Sequence, residues 1–202
     1  MPYVINRPHK RVMVLVAACF ALLCGSAHSA LAAQTCSNPS TSTVFAPFSD
    51  TSGYILMPGG SFEAGTSWKW SGGTLVADNE PWYVHGTNDA QALSIAPASQ
   101  VVAPPVCVSA LRPTFRFFAV ATDPKATLNL ALQYTDPITG LTAQLPIGTL
   151  SGADYASWSP TSVLGLGSLL TSTGVVNGNV VFTTGSVGSW EIDDVYVDPY
   201  SR

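Results

Sequence analysis

Charged side chains, cysteine and histidine are all scarce in this chain of 202 residues. Asp, Glu, Lys and Arg together make up 10% of the sequence, and there are four cysteines and three histidines. So few histidines and cysteines leave none of the common zinc-ligand spacings, which excludes a zinc hydrolase. The apolar fraction of 47% is too high for a disordered chain, so we expect a folded domain with its own core.

The N-terminus has the three-part order of a secretory signal peptide. Three basic residues within the first eleven positions precede an apolar run over residues 12–23, and small and polar residues follow. Small residues at positions 30 and 32 suit signal peptidase, so we expect cleavage after Ala32, with Ala30 and Ala33 as alternative sites. We therefore predict that residues 1–32 are removed and that the mature protein is extracellular.

Two alternatives would keep this segment in place. An uncleaved anchor needs about 20 apolar residues to cross the hydrocarbon core, and the run over residues 12–23 is shorter. A lipoprotein would be lipidated at Cys19, but the residues that follow it continue apolar. The mature form is therefore predicted to have no membrane span.

Removal of the signal peptide makes the remaining chain strongly acidic. The segment carries three of the eight Lys and Arg and none of the 12 Asp and Glu, which leaves five bases against 12 acids, a net charge of −7. Proteins that bind nucleic acid hold its phosphates with Lys and Arg, so nucleic acid is disfavoured as a partner. An anionic membrane surface is disfavoured for the same reason.

Cys36 and Cys107 are the two cysteines that remain after processing. In an oxidising compartment an even pair indicates a disulfide, and closing a loop of about 70 residues would stabilise the fold by a few kcal/mol. The alternative is a pair of buried free thiols. We predict the disulfide.

The mature chain is predicted to be a single all-β domain. Residues 33–52 form a polar lead-in with little regular structure, and residues 53–202 alternate between apolar and polar positions, with turn signals every 8 to 12 residues or so. A short turn over residues 163–170 is the one helix-like segment. Strands are predicted over 54–57, 68–70, 74–77, 92–95, 114–120, 127–134, 142–147, 179–183 and 190–197. Eight or nine antiparallel strands without intervening helices indicate a sandwich or a barrel.

Two motifs at opposite ends of this domain carry a family resemblance. The run GGSFEAG over residues 59–65 is followed by Trp68, and the run WEIDDVYV covers residues 190–197. Together they resemble the first and last strands of jelly-roll carbohydrate-binding modules, notably families 4 and 9 and the wider galactose-binding-like group. The resemblance implies a jelly-roll β-sandwich and a secreted, non-catalytic protein that binds a polysaccharide or a cell-surface glycan.

The same resemblance implies a structural calcium ion. In those families an early glutamate and the first aspartate of the closing strand hold the ion, which corresponds to Glu63 and Asp193, with Asp194 as the reserve. First and last strands of a jelly roll commonly lie side by side, and carboxylates brought together there repel each other unless a cation neutralises them. The alternative is that Glu63 and Asp193 are surface acids or hydrogen-bond acceptors at strand ends.

Residues 78–89 are the best candidate for a ligand contact. They contain Trp82, Tyr83 and His85, the last being the one histidine of the mature chain, among several amides and carboxylates. The apolar face of a sugar ring stacks on an aromatic plane while polar neighbours take up its hydroxyls. The alternative for each aromatic is a packing role, which is what we expect of Trp68 and Trp190.

The sequence lacks the parts of a hydrolase that acts through a nucleophile. His85 has no glycine-flanked nucleophile beside it in sequence, and the cysteines are predicted to be paired. A carboxylate pair for glycoside hydrolysis stays possible in principle, since its spacing cannot be read from sequence. We therefore predict a binding module and no enzyme. A structural or adhesion domain of the cell surface is the alternative, and a glycoside-active enzyme is the minor one.

Overall fold

A computed structural model describes Met1 and residues 40–108, 114–136, 139–166 and 176–198. The chain divides into two units, Met1–Ala32 and Ala33–Arg202, and every strand and helix below belongs to the second. The expected cleavage site and Cys36 lie outside the described residues. Signal cleavage and the Cys36–Cys107 disulfide therefore stay predictions.

The described residues form eleven β-strands and two short 3₁₀ helices. The strands are β1 (Ile55–Leu56), β2 (Lys69–Val76), β3 (Ala92–Val102), β4 (Val106–Val108), β5 (Thr114–Ala121), β6 (Thr127–Thr135), β7 (Thr142–Ser151), β8 (Ser159–Pro160), β9 (Leu164–Gly165), β10 (Val176–Thr184) and β11 (Trp190–Asp198). The helices are Ala46–Phe48 and Gly152–Asp154. Four strands have only two or three residues, which is why the count exceeds the eight or nine expected from the sequence.

The strands form one curled antiparallel sheet that folds into two layers. Layer A contains β7, β6, β10 and β4, with residues 69–71 of β2 and 100–102 of β3. Layer B contains β5, β11, β1, β8 and β9, with the remaining halves of β2 and β3. This arrangement confirms the predicted jelly-roll sandwich.

β2 and β3 belong to both layers because they bend together. The bend contains Gly72 at φ 79° and Ala98 at φ 52°, in the left-handed region. The buried hydroxyl of Thr184 lies inside the bend, where its Oγ1 accepts from the backbone N–H of Ser99 at 2.9 Å and donates to the carbonyl of Ala96 at 2.6 Å. Thr184 thus satisfies two backbone groups that the ladder leaves open.

The core lies between the two layers and follows the predicted alternation. Phe117 of layer B meets Phe182 of layer A edge to face, with ring centroids 5.4 Å apart. Trp68 and Trp190 are both buried in this core, which confirms the packing role expected of them. On β6 the inward residues are Leu128, Leu130 and Leu132.

The polar lead-in covers part of the outer face of layer B. Phe45 is fully buried there and stacks on Phe118 of β5, with centroids 5.4 Å apart. Asp50 accepts a hydrogen bond from the Arg116 guanidinium at 2.8 Å, and that guanidinium lies 4.4 Å from the Phe45 ring centroid. One turn of 3₁₀ helix is the lead-in's regular structure within residues 40–52.

The structure departs from the predicted elements in two places. β2 runs unbroken over Lys69–Val76, where two strands were expected, because the bend at Gly72 continues the ladder. Within the expected helical turn, Leu164–Gly165 pairs with β5 as a strand, and residues 167–170 lie outside the described residues. Within the described part of the chain, no helix has the length and apolarity that a bilayer span requires.

Candidate functional site

The two end motifs of the sequence meet in layer B. β1 pairs with β11, and the backbone N–H of Val195 donates to the carbonyl of Gly60 at 3.0 Å. A Cβ atom at Gly60 would lie 2.8 Å from the Val195 carbonyl oxygen, which leaves room only for glycine. The glycine pair of the opening motif therefore allows the chain to lie against the closing strand.

Glu80 organises the loop over residues 78–90, which joins β2 to β3. Its carboxylate is fully buried and accepts hydrogen bonds from the backbone N–H of Trp82 at 2.6 Å and of Val84 at 2.5 Å. Its own N–H donates to Asp193 Oδ2 at 3.3 Å. Burial raises the Glu80 pKa, and the two backbone donors offset part of that shift. One buried acid thus shapes the loop and joins it to β11.

The predicted ligand contacts Trp82, Tyr83 and His85 all lie on this loop and are exposed. Trp82 is 43% exposed and Tyr83 47% exposed. The Trp82 ring meets Phe48 edge to face at 5.0 Å and lies 5.4 Å from the Phe118 centroid. Two aromatic neighbours therefore support one side of an indole that leaves much of its surface to solvent.

A shallow groove of about 510 Å³ begins at Val84 and His85, the loop residues that follow the two aromatics. It continues along the lead-in past Ser42 and Tyr54 to Tyr196 of β11. His85 Nδ1 lies 2.9 Å from Asp89 Oδ2, so the imidazole is held at the rim. The site thus combines an aromatic surface, a groove and polar side chains.

A β-bulge in β11 positions the predicted metal ligands Asp193 and Asp194. The pairing register with β5 shifts between Asp193 and Tyr196, and Asp194 has a left-handed φ of 51°. Asp193 Oδ1 accepts from the Asp194 N–H at 2.7 Å, while its Oδ2 faces the Glu80 N–H. The Asp193 carboxylate is therefore engaged by backbone donors.

Asp194 is fully buried, and neither of its carboxylate oxygens has a hydrogen-bond partner at normal distance and angle. Burial, followed by the charges of Glu80 and Asp89, raises its pKa to about 8, and the nearby backbone N–H of His85 offsets part of that rise. The pKa of Asp193 is raised as well, by burial and then by the charge of Asp194. A buried ionised carboxylate without partners is costly, so Asp194 is either protonated or neutralised by a cation at this point.

Asp194 lies where such a charge could be held. Ligand atoms of His85, Asp89 and Asp194 all lie within 4.8 Å of one another. Carboxylate oxygens suit calcium, magnesium and manganese, whereas an imidazole nitrogen suits zinc, nickel or copper. The group therefore fits a divalent cation, with Asp194 as its buried ligand.

The third predicted metal ligand, Glu63, differs from Asp194 because its carboxylate accepts hydrogen bonds from the backbone. Its Oε1 accepts from the backbone N–H groups of Ala90 at 2.7 Å and Gln91 at 2.6 Å, so it ties the opening motif to the start of β3. Its charge contributes to the raised Asp194 pKa. Neither Glu63 nor Asp193, the predicted ligand pair, belongs to the group that His85, Asp89 and Asp194 form. Sequence reasoning missed Asp89 and Glu80 as site residues; the density of acids in residues 78–89 was the available signal.

No family model matches the chain, and no curated protein matches it. Among solved structures it is similar to the CBM22-1 and GH10 modules of the Clostridium thermocellum xylanase 10B in complex with xylohexaose, with 16% identity over 67% of this chain and 26% of that chain, at a TM-score of 0.48. A xylan-binding domain of CBM22 gives 14% identity over 70% and 94% of the two chains, at 0.47. TmCBM61 in complex with β-1,4-galactotriose gives 15% identity over 70% and 96%, at 0.41. Carbohydrate-binding modules are the group that the end motifs resemble, while the resemblance to families 4 and 9 in particular stays a prediction.

Proposed function

We propose that this protein is a secreted, non-catalytic carbohydrate-binding module that contacts a polysaccharide or a cell-surface glycan through the 78–90 loop. The observation that carries the proposal is the exposed indole of Trp82, supported from one side by Phe48 and Phe118. A large aromatic that packs on the protein with one part and leaves the rest to solvent suits stacking against a sugar ring.

The neighbours of Trp82 supply the polar contacts that a sugar needs. The hydroxyl of exposed Tyr83 and the ring of His85 both donate and accept hydrogen bonds, depending on rotamer and tautomer. The groove that begins at His85 offers a path for further sugar units. Because Glu80 fixes the loop backbone through two hydrogen bonds, little ordering entropy would be lost on binding.

We further propose that a divalent cation, calcium by the resemblance, is held by Asp194 together with Asp89. The two unpartnered oxygens of Asp194 support this proposal. Bound there, the ion would supply positive charge to a buried acidic cluster and would link the 78–90 loop to the β11 bulge. The exposed aromatics would then depend on the cation for their position.

The test is a glycan-array screen of the protein purified from culture medium, followed by titration of the best glycan against two tryptophan variants. Trp82→Ala should lower affinity by roughly tenfold or more, since stacking and its surroundings contribute on the order of 1–3 kcal/mol. Trp70→Ala is the matched control, because Trp70 is 37% exposed but lies on β2. Melting curves of both variants show whether each still folds.

The other two functions are outcomes of the same screen. Binding to no glycan at all would reject the proposal and favour a structural or adhesion domain. Release of reducing sugar would favour a glycoside-active enzyme. Against that outcome, Glu80, Asp193 and Asp194 are each at most 1% exposed, so a glycosidic bond cannot reach these three acids.

Secretion is tested by the intact mass of the protein in the medium. We expect its first residue to lie between Leu31 and Gln34, because cleavage is predicted after Ala32 or an adjacent small residue. A secreted chain that retains Met1, or that begins at a lipidated Cys19, would contradict the proposed processing.

A further inference from the structure

The outer face of layer A carries a second groove, away from the 78–90 loop. Lys69, Val102 and Val181 form one cross-strand row on this face, and Asn179 pairs with Gln133 in the neighbouring row. These side chains point away from the core, because Trp68, Val101 and Val180 beside them in sequence belong to the core.

The groove has the size of a small-ligand site and a mixed lining. Its volume is about 340 Å³, within the range of roughly 300–1,000 Å³ that is usual for such sites. Its apolar surface comes from Val102 and Pro105, because Ala103 and Pro104 beside them are buried. The other lining residues are polar, namely Ser67, Lys69, Gln133 and Asn179, and no carboxylate is among them.

The polar groups of this groove are available to a ligand. Lys69 and Gln133 make no side-chain hydrogen bond or ion pair with any residue that the structure describes. The Asn179 side chain is oriented by a hydrogen bond that its Nδ2 donates to the Ala103 carbonyl at 2.8 Å. The groove therefore presents a free ammonium group and a free amide beside an oriented one.

A free cation in a groove is unusual in a chain with a mature net charge of −7. Of the five bases after residue 32, Arg112 and Arg202 lie outside the described residues, and Arg116 is buried against Asp50. Lys125 is exposed in the turn before β6. Lys69 is the base that faces a groove in the described part of the chain.

We infer that this groove binds an anionic saccharide, with Lys69 contacting its carboxylate or sulfate group. The amides of Gln133 and Asn179 both donate and accept, as the adjacent hydroxyls of a sugar require. The apolar surface of Val102 and Pro105 suits the C–H face of the ring. The inference goes beyond the proposed function, because the surface lies on the other layer and selects a ligand by charge.

The experiment compares binding of short oligogalacturonides with binding of the same oligosaccharides after reduction of their carboxyl groups. The mature protein, purified from medium, should prefer the acidic form, and added salt should weaken that preference. A sulfated oligosaccharide in a parallel arm shows which anion is accepted. Binding of either anionic sugar above its neutral counterpart supports the inference.

Three variants assign the preference to the groove. Lys69→Gln should lower affinity for the acidic sugar by about tenfold, the usual cost of losing a hydrogen bond to a charged group. Lys125→Gln is the matched control and should bind as the parent does. Trp82→Ala should also leave this binding intact, which separates it from the proposed loop site.

Equal affinity for the acidic and the reduced sugars would overturn the inference. So would equal affinities of the Lys69→Gln and Lys125→Gln variants, or loss of acidic-sugar binding in Trp82→Ala. None of these results would bear on neutral-glycan binding at the loop, so failure of the inference and failure of the proposed function can be told apart.

Discussion

Replacement of Asp194 by asparagine tests the cation site through the pH dependence of stability. Burial and the neighbouring acids raise the Asp194 pKa from 3.8 to about 8. Without a cation, the folded state therefore takes up a proton that the unfolded chain releases above about pH 4. At pH 7 this costs on the order of 4 kcal/mol, because each pKa unit corresponds to about 1.4 kcal/mol.

The way in which pH changes the melting temperature depends on whether the cation is bound. In chelator, this contribution to stability is fully present below the unfolded pKa and is lost as the pH rises towards 8, so the melting temperature should fall over that window. A cation binds the ionised carboxylate, so the increase in melting temperature on adding calcium should grow over the same window. At 100 times its dissociation constant the ion contributes about 2.7 kcal/mol, or roughly 5–10 °C for a domain of this size.

The assay is thermal unfolding by circular dichroism between pH 5 and pH 8, with chelator and with calcium at constant ionic strength. Asp194→Asn should lose the calcium response and should reduce the pH slope in chelator, while buried Asp193, whose pKa is also raised, retains part of that slope. Asp154→Asn, at an exposed acid on the second 3₁₀ helix, should keep both. A calcium response that persists in Asp194→Asn, or one that does not change with pH, would refute the reasoning.

Three further changes test the rest of the fold by thermal or denaturant unfolding. Thr184→Val should destabilise the protein by about 1–3 kcal/mol, because the buried Thr184 hydroxyl satisfies two backbone groups at the bend of β3. Thr184→Ser should restore stability, and an unchanged stability of Thr184→Val would contradict the role of the hydroxyl. Burial acts to raise the pKa of Asp50, but hydrogen bonds from the Tyr54 hydroxyl and the Arg116 guanidinium hold that pKa well below its usual range. The protein should therefore lose stability as the pH falls below about 4, and Asp50→Asn should reduce that loss. Reduction of the predicted Cys36–Cys107 disulfide should lower stability by a few kcal/mol; a protein whose melting temperature is indifferent to reductant would have no such bond.

Local pattern was sufficient to predict the fold class and the core. On β6, Leu128, Leu130 and Leu132 alternate with small or polar residues, and this period matches the pleat of a half-buried strand. Trp68 and Trp190 are predicted and found in the core because large aromatic side chains in a small sandwich are stabilised mainly by burial. These properties depend on residues close together in sequence, so the sequence carries them directly.

The composition of the candidate sites depended on the tertiary structure. Glu80 and Asp193 are 113 positions apart, and only the pairing of β11 against the loop brings them into contact. The bulge in β11 then turns Asp194 into a buried position without partners, a shift of register that alternation along one strand does not reveal. Lys69 likewise became a groove residue only when β2 paired with β3, since its neighbours in the groove come from three strands.

The sequence by itself determined the all-β class, the core tryptophans and the loop that bears Trp82, because periodicity, turn chemistry and residue type act locally. The secretory leader, which beyond Met1 lies outside the described residues, stays a prediction of the sequence. The tertiary structure decided which carboxylate has no partner, which aromatic surface is exposed and which lysine faces a groove. Those properties depend on burial and on distances between residues far apart in the chain, and such distances are set only when the two layers pack together.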